Sequence, residues 1–201
     1  MNWNDLVSSA EEYVVARFQQ MHLPELLYHN RAHTEYVVAR VQEIGEYYRL
    51  REHEFACLLI AAWFHDTGHL SGAPENHEQR SVEDFRKFAS INPVPAADAE
   101  IIENCICATR LPHRPETFLQ EILCDADTYN LGTPDFAKTD LLLKDELKAR
   151  DRVPDISWDD STLFILQKHQ YFTNYCKTRL AQGKAENIEA VKIRKNNGIN
   201  N

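Results

Sequence analysis

Apolar residues recur about every three or four positions along most of the chain, which is the period of an amphipathic α-helix. The first helices are predicted over Trp3–Met21, from the residue after Asn30 to Tyr48, and over Glu52–Thr67. Later helices are predicted over Asn76–Ala89, from the Pro95–Asp98 region to Thr109, from Pro115 to Gly132, from Thr133-Pro134 onward, and from Thr162 to Gly183. With no hairpin signal or internal repeat, the pattern predicts an all-α helical bundle.

Capping and breaking residues predict where these helices begin and end. Asn30 is a predicted N-cap, Pro115 and Pro134 are predicted first-turn prolines, and Thr133 is the predicted N-cap before Pro134. Gly68, Gly72 and Pro74 predict a loop at the mouth of a site. The segment 150–161 is expected to be a polar connector, and Gly132 and Gly183 are expected to end helices.

Composition is that of one ordinary globular domain over 1–201. The chain is 43% hydrophobic and 26% charged, and its five cysteines show no CxxC spacing, so they are expected to be free thiols in a reducing compartment. The sequence shows neither a signal peptide nor an apolar stretch long enough for a membrane span, so a cytoplasmic location is expected. The net charge of -9 disfavours nucleic acid as a partner but is compatible with a small phosphorylated substrate.

The most informative polar residues are His65 and Asp66, which end the apolar run LLIAAWFHDTGH. On a helical wheel Asp66 falls on the apolar arc of its helix, with His65 beside it, and His33 falls on the apolar stripe of the preceding helix. Buried imidazoles and carboxylates need compensation, which a divalent cation can supply. Asp125 and Asp127 flank the apolar arc of a third helix on opposite sides, and the wheel does not decide between them.

The motifs YHNRAH, AAWFHDTGH, NHEQRS, ICATRLPH and CDADTYNLG occur in this order along the chain. In this arrangement the sequence resembles the HD superfamily of metal-dependent phosphohydrolases, and in particular its branch of small, uncharacterised members. The resemblance implies one HD-type domain, with core motifs in 28–132 and C-terminal helices in 134–198. It also implies four metal ligands: His33, His65, Asp66 and Asp127. Asp125 would then be a partner of the ligands.

The resemblance implies hydrolysis of a small phosphomonoester or phosphodiester, of which a nucleotide is one candidate. Mixed imidazole and carboxylate ligands without a thiolate suit Mn, Fe, Co, Ni or Mg, and a metal-activated water would attack phosphorus. His65 and Asp66 are the expected catalytic residues. The sequence is compatible with a homo-oligomer and predicts no membrane partner.

A second metal is an open alternative, because His77 and His113 occur in the order of the two extra histidines of binuclear superfamily members. Instead, Glu78 and Ser81 could be polar site groups. Further candidates for contact with a second metal or with substrate phosphate are His29, Arg110 and Lys144, and Arg31 and Arg114 are also near enough in sequence to hold phosphate oxygens. For each of these cations the alternative is a solvated surface position, and the role of His69 is open.

Two other functions compete with hydrolysis. Some superfamily relatives with two added histidines hold a di-iron centre and oxidise a C–H bond with oxygen, which requires the second metal. Alternatively, the site could bind a nucleotide without turnover and report it through a helix shift. Ligand-induced thermal stabilisation without any reaction would favour this sensor function.

Overall fold

The computed structural model describes residues 2–21 and 23–198, and this part of the chain contains α-helices and no β-strand. The helices are α1 (Trp3–Gln20), α2 (Arg31–Tyr48), α3 (Glu52–Phe64), α4 (His77–Ile91), α5 (Ala96–Ala108), α6 (Phe118–Asp127), α7 (Phe136–Ala149), α8 (Trp158–Lys168) and α9 (Asn174–Asn196). Short 3-10 helices cover Thr67–Ser71 and Tyr129–Gly132. The prediction of an all-α fold is confirmed.

The chain divides into two compact units, Met1–Asp127 and Thr128–Asn201. The motifs from YHNRAH to the end of CDAD lie in the first unit. That residues 1–201 form one HD-type domain stays a prediction. No described helix is both long and apolar enough to cross a lipid bilayer.

Helix α3 is the centre of the first unit and contacts α1, α2, α4, α5 and α6. Eight of its thirteen residues are buried, including Ala56, Ile60 and Ala61, which lie off the predicted apolar arc. A helix that is hydrophobic all round is typical of a core position. The predicted one-sided arc was therefore too narrow, although it did place His65 and Asp66 in the interior.

The local signals at the start of α2 are confirmed. The side-chain oxygen of Asn30 accepts hydrogen bonds from the amides of Ala32 and His33, at 2.9 and 3.2 Å. His33, Val37, Val41 and Ile44 are all buried along one stripe. The cap thus sets the first turn of α2 with the His33 side chain directed inward.

The structure corrects the predicted ends of α3 and α6. Helix α3 ends at Phe64 and not at Thr67, because the Thr67 hydroxyl donates to the Phe64 carbonyl and the Ser81 hydroxyl donates to the His65 carbonyl. The predicted loop after Asp66 begins instead with the 3-10 helix Thr67–Ser71, whose first four residues are buried. Helix α6 begins at Phe118, so Pro115 is not its first residue.

In the second unit, Phe136, Leu166 and Val191 form a core cluster between α7, α8 and α9. The predicted helix from Thr162 to Gly183 is wrong: α8 ends at Lys168, and α9 begins at Asn174 because the Thr173 hydroxyl caps it by accepting from the Cys176 amide. The predicted connector over 150–161 is correspondingly shorter, since α8 already begins at Trp158.

Glycine and proline signals in the second unit also have other roles than predicted. Gly183 lies inside α9 and does not end it; a Cβ there would lie 2.1 Å from the Gly132 carbonyl oxygen, so the glycine permits close packing of the 3-10 helix. Asp135, and not Thr133, directly precedes α7, and Pro134 therefore lies before the helix.

Candidate metal centre

Three helical segments of the first unit bring the predicted ligands together. His33 lies in the first turn of α2, His65 and Asp66 directly follow α3, and Asp127 is the last residue of α6. One donor atom from each of these residues lies within 4.8 Å of the others. We refer to His33, His65, Asp66 and Asp127 as the His/Asp cluster. Between the two aspartates that the helical wheel left open, the fold selects Asp127 for this position.

Nitrogen and oxygen atoms alternate around the His/Asp cluster. His33 Nε2 lies 3.3 Å from both Asp66 Oδ2 and Asp127 Oδ1. His65 Nε2 lies 3.3 Å from the same Asp66 oxygen and 3.5 Å from the same Asp127 oxygen. Two ligands bonded to one ion at ~2.1 Å with a tetrahedral angle between them are ~3.4 Å apart, so this spacing fits a shared cation.

The hydrogen-bonding state of these atoms also fits a cation. Among the described residues there is no hydrogen-bond partner for His33 Nε2, His65 Nε2 or Asp66 Oδ2, although all three atoms are fully buried. Buried polar atoms are almost always satisfied in folded proteins. The cluster therefore has three orphaned donors or acceptors that point to one place, which is the arrangement that a metal ion would satisfy.

Contacts outside the cluster fix the orientation of its histidines. His65 Nδ1 lies 2.7 Å from the Ala62 carbonyl oxygen, so Nδ1 carries the proton and Nε2 is left to face the cluster. His33 follows the Asn30 cap, which sets its backbone. Ring centroids of His33 and His65 are 5.5 Å apart.

The histidines and aspartates of the His/Asp cluster shift one another's pKa values. Burial by itself lowers the pKa values of His33 and His65, but the adjacent carboxylates outweigh it and hold both pKa values above the usual range. Burial by itself raises the pKa values of Asp66 and Asp127, and the histidines instead hold both well below the ordinary value. Without a cation, protons on the imidazoles balance the carboxylates.

The second oxygen of Asp66 faces a different set of side chains. Its Oδ1 lies 3.4 Å from Nε2 of His77, whose Nδ1 lies 2.9 Å from the Pro74 carbonyl oxygen. His113 Nε2 lies 4.0 Å from Asp127 Oδ2 and 3.1 Å from the Thr109 carbonyl oxygen. Both histidines predicted for a second metal therefore border the His/Asp cluster.

His69, whose role the sequence left open, is buried within a stack of imidazoles. Its ring lies between those of His29 and His77, with centroid separations of 4.1 and 4.0 Å. His29, Asp66 and His69 each offer a donor atom within 4.8 Å of the others. The sequence did contain one signal for the position of His69, because it follows His65 by four residues, or one helical turn. The predicted helix over Glu52–Thr67 was expected to end before His69, so no role was assigned to it.

The other predicted contact residues differ in position. Glu78 is buried and lies 3.8 Å from His77 and 3.5 Å from the exposed Arg110. Arg31 is exposed and pairs with Glu35 at 2.7 Å, and Arg114 is exposed. Lys144 lies on α7 in the second unit.

The remaining candidates on α4 and α6 are internal. Ser81 is fully buried and bonds to the backbone at His65 and Gly68, so its contacts hold the turn after α3. Asp125 is fully buried and is not a member of the His/Asp cluster. Its proposed role as a partner of the ligands stays a prediction.

Comparison of the chain with protein-family models, with curated proteins and with solved structures gave no match. The HD resemblance therefore rests on the motif residues of this chain. None of the five cysteines, all of which lie among the described residues, forms a disulfide; four are buried and Cys107 is exposed.

Proposed function

We propose that the protein is a metal-dependent phosphohydrolase of the HD type, acting on a small phosphomonoester or phosphodiester, with nucleotides as the leading candidates. The observation that carries the proposal is the His/Asp cluster, whose donor atoms lie within 4.8 Å of one another. Its orphaned buried atoms and alternating nitrogen and oxygen donors support a divalent cation, for which Mn, Fe, Co, Ni and Mg are candidates.

In this proposal the His/Asp cluster holds one ion through four protein atoms. A bound ion would lower the pKa of a water ligand and polarise a phosphoryl oxygen, which is the chemistry of ester hydrolysis. The chain itself supplies orientation. The Ala62 carbonyl holds the tautomer of His65, and Asp66 directs Oδ2 to the cluster and Oδ1 toward His77.

Substrate binding is proposed for the imidazoles beside the cluster and for Arg110. Burial by itself lowers the pKa of His77, but Asp66 and Glu78 outweigh it and raise this pKa, which favours a protonated ring beside an anionic substrate. Arg110 is exposed and lies 3.5 Å from Glu78, so its guanidinium can turn toward a phosphate oxygen. These groups offset the net charge of -9 at the place where a phosphate would bind.

A di-iron oxygenase is the second candidate, favoured by one observation. Asp66 presents its two oxygens to different histidines, and the group of His29, Asp66 and His69 could accept a further ion. Metal counting separates the candidates. Two irons per chain with oxygen consumption would support the oxygenase, whereas full activity with Mn under anaerobic conditions would support hydrolysis.

The test is a substrate panel assayed with the purified protein and Mn, Co or Ni. Nucleotides, cyclic nucleotides and sugar phosphates are compared for Asp66→Asn, for the parent, and for the exposed control Asp155→Asn. We expect metal-dependent release of phosphate or monoester by the parent and the control, and a loss of at least about 100-fold in Asp66→Asn. Equal turnover in all three proteins contradicts the proposal. Thermal stabilisation by a nucleotide without turnover supports the sensor instead.

A further inference from the structure

A second group of metal-ligand side chains lies at the opposite end of α3 from the His/Asp cluster. His53 and Cys57 are one helical turn apart on α3, and Asp98 lies in the first turn of α5. One donor atom from each lies within 4.8 Å of the others. His53 precedes His65 by twelve residues, which is roughly 18 Å along an α-helix, so the two groups are separate.

The three side chains lie together at the protein surface, with His53 on the solvent side. His53 Nε2 lies 2.5 Å from Asp98 Oδ1, a hydrogen bond that a shared cation would replace by moving the half-exposed His53 ring outward, and the His53 and Trp3 rings pack in a T-shaped arrangement with centroids 5.0 Å apart. Cys57 is fully buried and the side chain of Asp98 is 11% exposed, whereas that of His53 is 44% exposed. A cation could therefore enter past His53 and reach an enclosed thiol and carboxylate.

We propose that His53, Cys57 and Asp98 form a distinct cation site for a borderline-soft divalent ion such as Zn²⁺. Imidazole, thiolate and carboxylate are all zinc ligands, and three protein ligands leave one coordination position for water. The thiol distinguishes this site chemically from the His/Asp cluster, which contains none. The proposal does not depend on the phosphohydrolase function.

The arrangement on the helices supports this site. Residues at i and i+4 lie on the same face of a helix, as in the paired ligands of helical zinc sites. Asp98 comes from α5, which packs against α3, so one ion would join the first two turns of α3 to the first turn of α5. A site that links two helices stabilises the folded state, because its ligands are not assembled in the unfolded chain.

A reactive thiol is the competing explanation for Cys57. Burial, with the nearby Asp98 carboxylate, raises the pKa of Cys57 to about 12, so the thiol stays protonated when no cation is present. A buried neutral thiol is a poor nucleophile. A divalent cation would displace the thiol proton and bind the sulfur, and the adjacent Asp98 carboxylate that disfavours a free thiolate would favour the cation.

Cobalt(II) provides a direct test, because a cobalt–thiolate bond gives a near-ultraviolet charge-transfer band that imidazole and carboxylate ligands do not give. The full chain, freed of metal, is titrated with Co²⁺ and then with Zn²⁺ as competitor. We expect a band that saturates at one thiolate per chain, that Zn²⁺ removes, and that persists in Asp66→Asn.

Matched variants identify the thiol. Cys57→Ser should abolish the band and weaken Zn²⁺ binding at this site on the order of tenfold or more, whereas Cys107→Ser, which removes the exposed thiol, should leave the band unchanged. If Cys57→Ser does not fold, Asp98→Asn replaces it and should weaken cobalt binding without removing the sulfur. Absence of the band at saturating Co²⁺, or loss of it in Cys107→Ser, overturns the proposal.

Discussion

Ser81 on α4 joins the backbone on both sides of Asp66. Its hydroxyl donates to the His65 carbonyl oxygen at 2.7 Å and accepts from the Gly68 amide at 2.9 Å, and the residue is fully buried. The turn that carries two of the four members of the His/Asp cluster is thus held by a residue sixteen positions away from His65.

We expect Ser81→Ala to lower the free energy of unfolding by about 1–3 kcal/mol, because it leaves two buried backbone groups without a partner. Metal affinity should also fall on the order of tenfold, since the turn no longer holds His65 and Asp66 in place. Denaturant unfolding and metal titration measure the two effects. The exposed Ser90 on the same helix gives the control Ser90→Ala, for which we expect little change. Equal effects of the two substitutions would contradict the role of Ser81.

The two aspartates of CDAD should differ in their effect on metal binding. Asp127→Asn removes a charge from the His/Asp cluster and should weaken metal binding by at least about 100-fold. Asp125→Asn changes a buried carboxylate outside the cluster, so we expect lower stability but a loss of affinity of about tenfold or less. Calorimetric titration with Mn²⁺ or Co²⁺ compares them. A larger loss of affinity in Asp125→Asn would mean that the wrong aspartate has been assigned as the ligand.

Stability of the metal-free protein should depend on pH with opposite signs for the two kinds of ligand. Because the pKa values of His33 and His65 are raised on folding, their stabilising effect is present below the unfolded value of about 6.5 and is lost as pH rises through the folded values. The pKa values of Asp66 and Asp127 are lowered, so their effect is present above about 3.9 and is lost as pH falls.

A bound metal should reverse the histidine part of this pH dependence. Imidazole nitrogen must lose its proton to bind a cation, so the rise in melting temperature on adding Mn²⁺ should increase from pH 5 to pH 8, values chosen to bracket the usual histidine pKa of about 6.5. Thermal unfolding with and without the ion at each pH measures this difference. A metal-induced rise that is constant or greatest at acidic pH would rule out histidine ligands.

Gly68 should not tolerate a side chain. A Cβ at this position would lie 2.0 Å from the carbonyl oxygen of His77, so Gly68→Ala must displace either the turn after α3 or the start of α4. We expect a cost of about 1–3 kcal/mol or more in unfolding free energy, together with weaker metal binding. At Gly72 a Cβ would meet the side chain of Arg80 at 3.2 Å, which can give way, so Gly72→Ala is the matched control. Similar stability of the two variants would contradict the close contact.

The sequence by itself determined the helical class of the fold and the residues able to bind a metal. Helical period and the Asn30 cap act between neighbours in the chain, so they predicted α2 and the inward direction of His33 correctly. The helix over 162–183 was predicted wrongly because periodicity continued across 169–173, where the Thr173 cap separates α8 from α9.

Only the tertiary structure decided which of these side chains meet. The α3 helix ends early because Ser81 binds the His65 carbonyl, and Asp127 rather than Asp125 lies beside His33 because of how α6 packs on α2. The same holds for His53 and Asp98, which are 45 residues apart in sequence. Such contacts depend on the packing of distant segments, for which the period of apolar residues along the chain contains no information.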